Sequence, residues 1–310
     1  MRVAIICPGQ FGDIAESTPL FKYREELWGP SAEIHWFIGK RFADVLRHNP
    51  HVITHECEVT FGEKDIDKVV AKARQESFDK TYITAPYAHL TKVFRVPLPM
   101  IPPMVLGLKL RGRPWRPQIF LSEEEIAEAQ EFVAALPKGP RVMIETTGLS
   151  FQSAWDDTFT ERVAERLVDL KPVYLTASFG AADIMRGAGI KRVVGLDNIG
   201  FRQLTEIYNA CDMFISCGSG AASATAAERC RILPRIEYLV RAKCPGWGTT
   251  AMVPGFAHWD AQIVLDKISA VAYSFLRKRG KQARRGARRW ARRALRRGQP
   301  DQTLHAGVGG

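Results

Sequence analysis

The chain has 310 residues, 46% of them hydrophobic, which allows two domains of ordinary size and excludes global disorder. No apolar run of about 18 residues occurs, so nothing reads as a membrane-spanning helix. The formal net charge is +11, but residues 277–297 alone hold twelve Lys or Arg and no acid; the body is close to neutral, and charge does not make it a nucleic-acid-binding domain.

Residues 2–7 (RVAIIC) read as a fully buried first strand; the apolar stretch is too short for a signal peptide. Thr18-Pro19 predicts a helix start, with Thr as cap and Pro at the first helical position, and Gly29 ends that helix after Trp28. Residues 33–38 form a second strand and 41–48 a helix. His48, His51 and His55, with Cys57 beyond, are broken by Pro50, so a solvated turn is expected and no metal. A helix over 65–76 and a strand over 81–85 follow. Residues 94–118 carry six of the eighteen prolines and suit irregular acceptor-binding loops.

Ser122 and Glu125 form a capping box for a helix whose Ile126, Ala129, Val133 and Leu136 share one face. A strand over 141–146 opens a second α/β unit. Thr158 and Glu161 read as another capping box, with Phe159, Val163, Leu167 and Leu170 as the buried stripe. Strand 173–177, helix 180–187, strand 191–194, helix 201–210, strand 213–217 and a small-residue helix 221–229 continue the alternation, and 259–276 closes it. The expectation is α/β: two parallel-sheet units with helices on both faces, at 1–120 and 121–276, and a basic tail at 277–310. The six cysteines form no C-x-x-C pair, which suits a reduced, cytoplasmic protein.

Ligands of open parallel sheets bind beyond the carboxyl ends of the strands. Three loops fall there. The first holds Gly9, Gly12 and Asp13. A carboxylate at Asp13 suits general-base work on a sugar hydroxyl, and equally suits a helix cap. The glycines are spaced G-x-x-G and strand 2 ends in Gly39-Lys40-Arg41 without an acid, so a dinucleotide fingerprint is absent. The second loop, Thr146-Thr147-Gly148-Leu149-Ser150 running on to Trp155, offers hydroxyls and N–H groups to phosphate oxygens, or is an ordinary polar turn. The third, Gly218-Ser219-Gly220 before a helix, suits a diphosphate or tight strand–helix packing.

The stretch Gly12-Asp13-Ile14-Ala15-Glu16-Ser17-Thr18-Pro19-Leu20 resembles the G-D-x-x-x-x-T-P-L signature of the lipopolysaccharide heptosyltransferases, glycosyltransferase family 9. Further segments follow in the same order over residues 1–230: Gly39 to Ala43, Asn49-Pro50, Leu121 to Glu125, the loop with Trp155, Gln203-Leu204, and Cys211 to Phe214 before a Ser-Gly loop. The resemblance implies a GT-B fold of two Rossmann-like domains. It implies inverting transfer of a sugar, heptose in that family, from a nucleotide-sugar donor to a glycan or glycolipid acceptor, without a metal or cofactor. It makes Asp13 the base, and Gly12, Thr18, Thr146, Thr147, Ser150, Ser153, Gly218, Ser219, Gly220 and Ser223 the substrate-binding positions. Ser153 stands where the family has lysine, Gly218 where it has Asp, and Ser223 where it has His. A missing lysine removes a cation from the leaving group; Arg202 and Lys40 are the nearby replacements.

In residues 284–297, arginine pairs recur every four residues around Trp290, a pattern suited to an anionic membrane surface, with nucleic acid as the weaker partner. A peripheral position on the inner membrane follows. The alternative to transfer is a catalytically inactive GT-B-like protein docking through that tail; a nucleotide-sugar epimerase ranks third.

Overall fold

The computed structural model describes residues 1–59, 63–89, 96–147, 155–178, 180–239, 249–258 and 260–278. Ser150, Ser153 and the tail beyond residue 278 lie outside the described residues. No helix among the described residues is long and apolar enough to cross a membrane.

Two parallel sheets carry the fold. The first holds β1 (Arg2–Ile6), β2 (Glu33–Gly39), β3 (Ile53–Cys57) and β4 (Lys80–Ile83) in the order β3-β2-β1-β4. Val3 to Ile6 are fully buried, as a strand covered on both faces must be, so the run is apolar without alternation. The second sheet holds β5 (Arg141–Glu145), β6 (Val173–Thr176), β7 (Val193–Gly195), β8 (Met213–Ser216), β9 (Arg235–Tyr238) and β10 (Phe256–His258). Its order, β10-β9-β8-β5-β6-β7, is that of a complete doubly wound sheet, with the direction of winding reversing between β5 and β8.

The helices differ from expectation in instructive places. The first does not start at Thr18. Helix α1 spans Phe11–Ser17, a 3₁₀ turn continues over Thr18–Tyr23, and α2 covers Arg24–Trp28. Gln10, at φ 20°, already turns the chain, and its carbonyl accepts from the Ile14 N–H. Thr18 is no cap: its buried hydroxyl donates to the Ala15 carbonyl at 2.7 Å and accepts from the Gln118 N–H at 2.8 Å. Gly29 does end the helix, at φ 84°. Residues Lys40–Leu46 form a 3₁₀ helix, and the expected solvated turn with His55 and Cys57 is instead strand β3. Helix α3 covers Glu63–Ala73 and α4 covers Ile101–Val105.

Helix α5 (Glu123–Ala135) has the full capping box of Ser122 and Glu125. Helix α6 (Asp157–Leu167) does not use Thr158; Asp156 caps it, accepting from the Phe159 N–H at 2.6 Å. Its expected stripe of Phe159, Val163, Leu167 and Leu170 is buried. Helices α7 (Ala181–Gly187), α8 (Leu204–Asn209) and α9 (Gly220–Ala224) follow, and α10 runs over 261–278.

One apolar cluster runs through both sheets, from Val3 and Ile5 to Leu175, Tyr208 and Phe214. The extended segment 113–120 stitches them. The Trp115 indole donates to the Glu16 carbonyl, and the Arg116 guanidinium donates to the carbonyls of Ala226, Ala227 and Cys230.

Candidate functional site

The winding reversal leaves a crevice at the carboxyl ends of β5 and β8, where the second and third loops begin. The first loop, after β1, meets it from the other sheet. Here α1 and α9 touch backbone to backbone. A Cβ on Gly12 would stand 3.4 Å from the Gly220 Cα, and one on Gly220 would stand 3.3 Å from the Gly12 nitrogen. Glycine at both positions permits that approach. Phe11 stacks on Phe201 with ring centroids 4.8 Å apart and meets Phe42 edge-on at 5.1 Å, closing one flank.

Asp13 sits in the first turn of α1, half-buried. Desolvation pushes its carboxyl up to about 7, so it is poised near the pH at which a base both accepts and releases a proton. One turn on, Glu16 is buried, and its Oε1 accepts from the Ser223 hydroxyl at 2.7 Å across the α1–α9 contact. Its Oε2 has no hydrogen-bond partner among the described residues. Desolvation first, then the charge of Asp13, raises this carboxyl to about 8 despite the Ser223 hydrogen bond. The sequence reading missed Glu16 as a second acid here. Its signal was available, an acid one turn after Asp13 and four residues before Leu20.

The second loop rests on another buried acid, Glu145, the last residue of β5. Its carboxylate accepts from the Ser178 hydroxyl at 2.6 Å and from the Ala177 N–H at 2.8 Å. Burial nonetheless raises it to about 7. Ser178 bridges onward to the backbone of Thr147. Thr146 is buried, and its carbonyl accepts from the Trp155 N–H at 2.8 Å; Thr147 is half-exposed. In the third loop, Gly218, Ser219 and Gly220 are half-exposed, and the Ser219 hydroxyl caps α9 by accepting from the Ala222 N–H at 3.2 Å. The hydroxyls of Thr18 and Ser223 are both engaged inside the protein.

Beneath α9 lies a buried ion pair, Arg235–Glu237 at 2.8 Å, on β9. Arg235 also donates to the Ala222 carbonyl and the Thr225 hydroxyl, and its guanidinium lies 4.4 Å over the Phe214 ring. Glu237 accepts from the N–H and hydroxyl of Thr249.

Both replacement cations are already paired with acids. Arg202 is buried in an ion pair with Glu125, donates to the Phe120 carbonyl, and reaches Asp44 at 3.3 Å. Lys40 pairs with Glu58 at the surface. Both side chains are held by carboxylates. A groove of about 760 Å³ lined by Glu161, Lys171, Tyr174 and Arg192 lies at the opposite ends of β6 and β7 and contains none of the candidate residues.

No protein-family model and no curated protein matches the sequence. Solved structures do match in shape. A family 9 glycosyl transferase from Veillonella parvula superposes with a TM-score of 0.62 at 13% identity, over 91% of this chain and 96% of that one. The ADP-heptose lipopolysaccharide heptosyltransferase II of E. coli gives 0.57 at 14%, over 88% and 99%. An E. coli heptosyltransferase with ADP gives 0.55 at 13%, over 87% and 99%. With its two parallel sheets and these neighbours, the chain has the GT-B fold found in glycosyltransferase family 9.

Proposed function

We propose that this protein is an inverting glycosyltransferase, with a nucleotide sugar bound at the crevice between β5 and β8 and Asp13 acting on the acceptor hydroxyl. The carrying observation is Asp13 itself: a half-buried carboxyl raised to about 7, on a helix that abuts the α9 loop across the two sheets. In the proposed step, the ionised carboxylate takes the hydroxyl proton as the acceptor oxygen attacks the anomeric carbon from the face opposite the leaving diphosphate. The bond to the diphosphate breaks, and the configuration inverts. Thr147 and the backbone of Gly218 to Gly220 are the proposed phosphate contacts, since their loops flank the winding reversal. Thr18 and Ser223 shape the site from within.

Similar structures bind ADP or act with ADP-heptose, which makes ADP-sugars the first donors to test. A thermal-shift panel of nucleoside diphosphates and their sugars is expected to give a selective hit; at 100 times the dissociation constant the gain is about 2.7 kcal/mol. A flat panel would remove the proposal. A donor-binding protein without turnover is the second reading, favoured by Arg202 and Lys40 being already neutralised by acids.

The basic segment 277–297 fits the same proposal as a contact with an anionic leaflet, bringing a lipid-linked acceptor within reach, at about 1 kcal/mol per basic residue near the surface. Flotation with phosphatidylglycerol vesicles should fall sharply when residues 279–310 are deleted, and donor binding should not. Equal flotation of both chains would refute the contact.

A further inference from the structure

At the amino-terminal end of the first sheet, away from the crevice, two histidines from neighbouring strands face each other. His35 is buried on β2 and His55 lies on β3. The His35 Nδ1 and the His55 Nε2 are 2.8 Å apart. Each outer ring nitrogen faces an acid: the His35 Nε2 lies 2.5 Å from Glu33 Oε1, and the His55 Nδ1 lies 3.6 Å from Glu76 Oε1. Arg2 holds both acids from behind, with Nε 3.6 Å from Glu33 and Nη2 3.0 Å from Glu76. Phe37 stacks on His55 and Phe78 meets His35 edge-on, so the rings are fixed in orientation.

We infer that His35, His55 and Glu76 form a binding site for a divalent transition-metal ion of the zinc class, unrelated to the proposed sugar transfer. One donor atom from each of the three lies within 4.8 Å of the other two. Two facing imidazole nitrogens can share one proton or one metal ion. Metal-bound histidines characteristically donate their outer N–H to a carboxylate, which fixes the tautomer and turns the other lone pair to the ion. Glu33 does this for His35. With nitrogen–metal bonds of about 2.0–2.1 Å and a tetrahedral angle, the two nitrogens must separate by roughly half an ångström. His55 stands on an edge strand and its side chain is partly exposed, so that movement is available. Glu76 Oε1, which rests against the far nitrogen of His55, would leave it to reach the ion, and water would complete the shell. Imidazole and carboxylate donors suit zinc, cobalt and nickel over calcium or magnesium.

The ion would tie β2, edge strand β3 and the segment after α3 into one unit. Strand β3 needs such a tie: among the described residues it pairs on one side only, and most of its side chains are exposed.

The test is titration of the full chain with Co²⁺, read by visible absorption, with Zn²⁺ as competitor. One Co²⁺ per chain, with bands of imidazole and oxygen ligation and displacement by Zn²⁺, is expected. His55→Gln should weaken binding at least about 100-fold, and Glu33→Gln about 10- to 100-fold, because it frees the ring of His35 without removing a ligand. His35→Gln is buried and is read only if its circular dichroism is native; His55→Gln, at the edge, keeps the test decisive. Zn²⁺ should also raise the Tm of the wild type and not that of His55→Gln. Unchanged affinity in His55→Gln, thiolate charge-transfer bands, or no binding at millimolar Co²⁺ would each overturn the site.

Discussion

Asp13→Asn is expected to lower turnover by about 10²- to 10⁴-fold, the usual worth of a positioned general base. The amide matches the carboxylate in shape but cannot take the acceptor proton. Donor binding should be unchanged. The wild-type rate should climb as pH rises through about 7, where the carboxyl loses its proton, and level off above it. Stability runs the other way. A carboxyl raised in the folded state binds more protons folded than unfolded between its ordinary value near 4 and about 7, so folding weakens as pH rises through that window. Glu16 and Glu145 push in the same direction. The Asn variant carries no such charge, so it should melt slightly higher than the wild type at pH 8 while being inactive. Steady-state kinetics and melting curves at pH 6 and 8 check both halves; a variant with wild-type turnover would exclude Asp13 as the base.

Breaking the Arg235–Glu237 pair should have the largest effect on stability. Both side chains are almost wholly buried. Arg235→Met leaves the Glu237 carboxylate without its cation, with Thr249 as its remaining hydrogen-bond partner among the described residues, at a cost of about 3–5 kcal/mol. The double variant Arg235→Met, Glu237→Leu removes the stranded charge and should recover much of that loss. The comparison is with Lys40–Glu58, whose side chains are mostly exposed; breaking that pair should cost under about 1 kcal/mol. Urea unfolding of the four proteins separates these cases. A small loss in Arg235→Met would mean that water reaches Glu237. Because Arg235 also holds the carbonyl of Ala222, the same variant should loosen α9 and weaken donor binding.

Strands with continuous apolar runs were legible in the sequence. RVAII, VYLT and MFIS are buried on both faces and appear within a residue or so of their expected bounds. The strands that were missed lack that signal. β3 (ITHEC) is an edge strand with polar, exposed side chains; β9 (RIEY) hides an ion pair; β10 has three residues. The helix start at Thr18 failed because Thr-Pro also suits a 3₁₀ continuation. The loops of the candidate site followed from strand–helix alternation alone. Its electrostatics did not, because the raised carboxyls of Glu16 and Glu145 come from burial contributed by distant elements. An acid closing an apolar strand, as in RVMIE, is the one local cue to Glu145.

The shared apolar cluster and the 113–120 strap also bear on how the chain comes apart. Two lobes joined by a linker alone would melt in separate steps. Here Trp115 and Arg116 fasten a stretch lying between the sheets to helix ends of both, and Ile5 and Leu175 belong to one core. Denaturation is therefore expected to be a single cooperative event. Amides of β1 and β8 should exchange with solvent at matching rates, because neither lobe can open fully while the other stays shut.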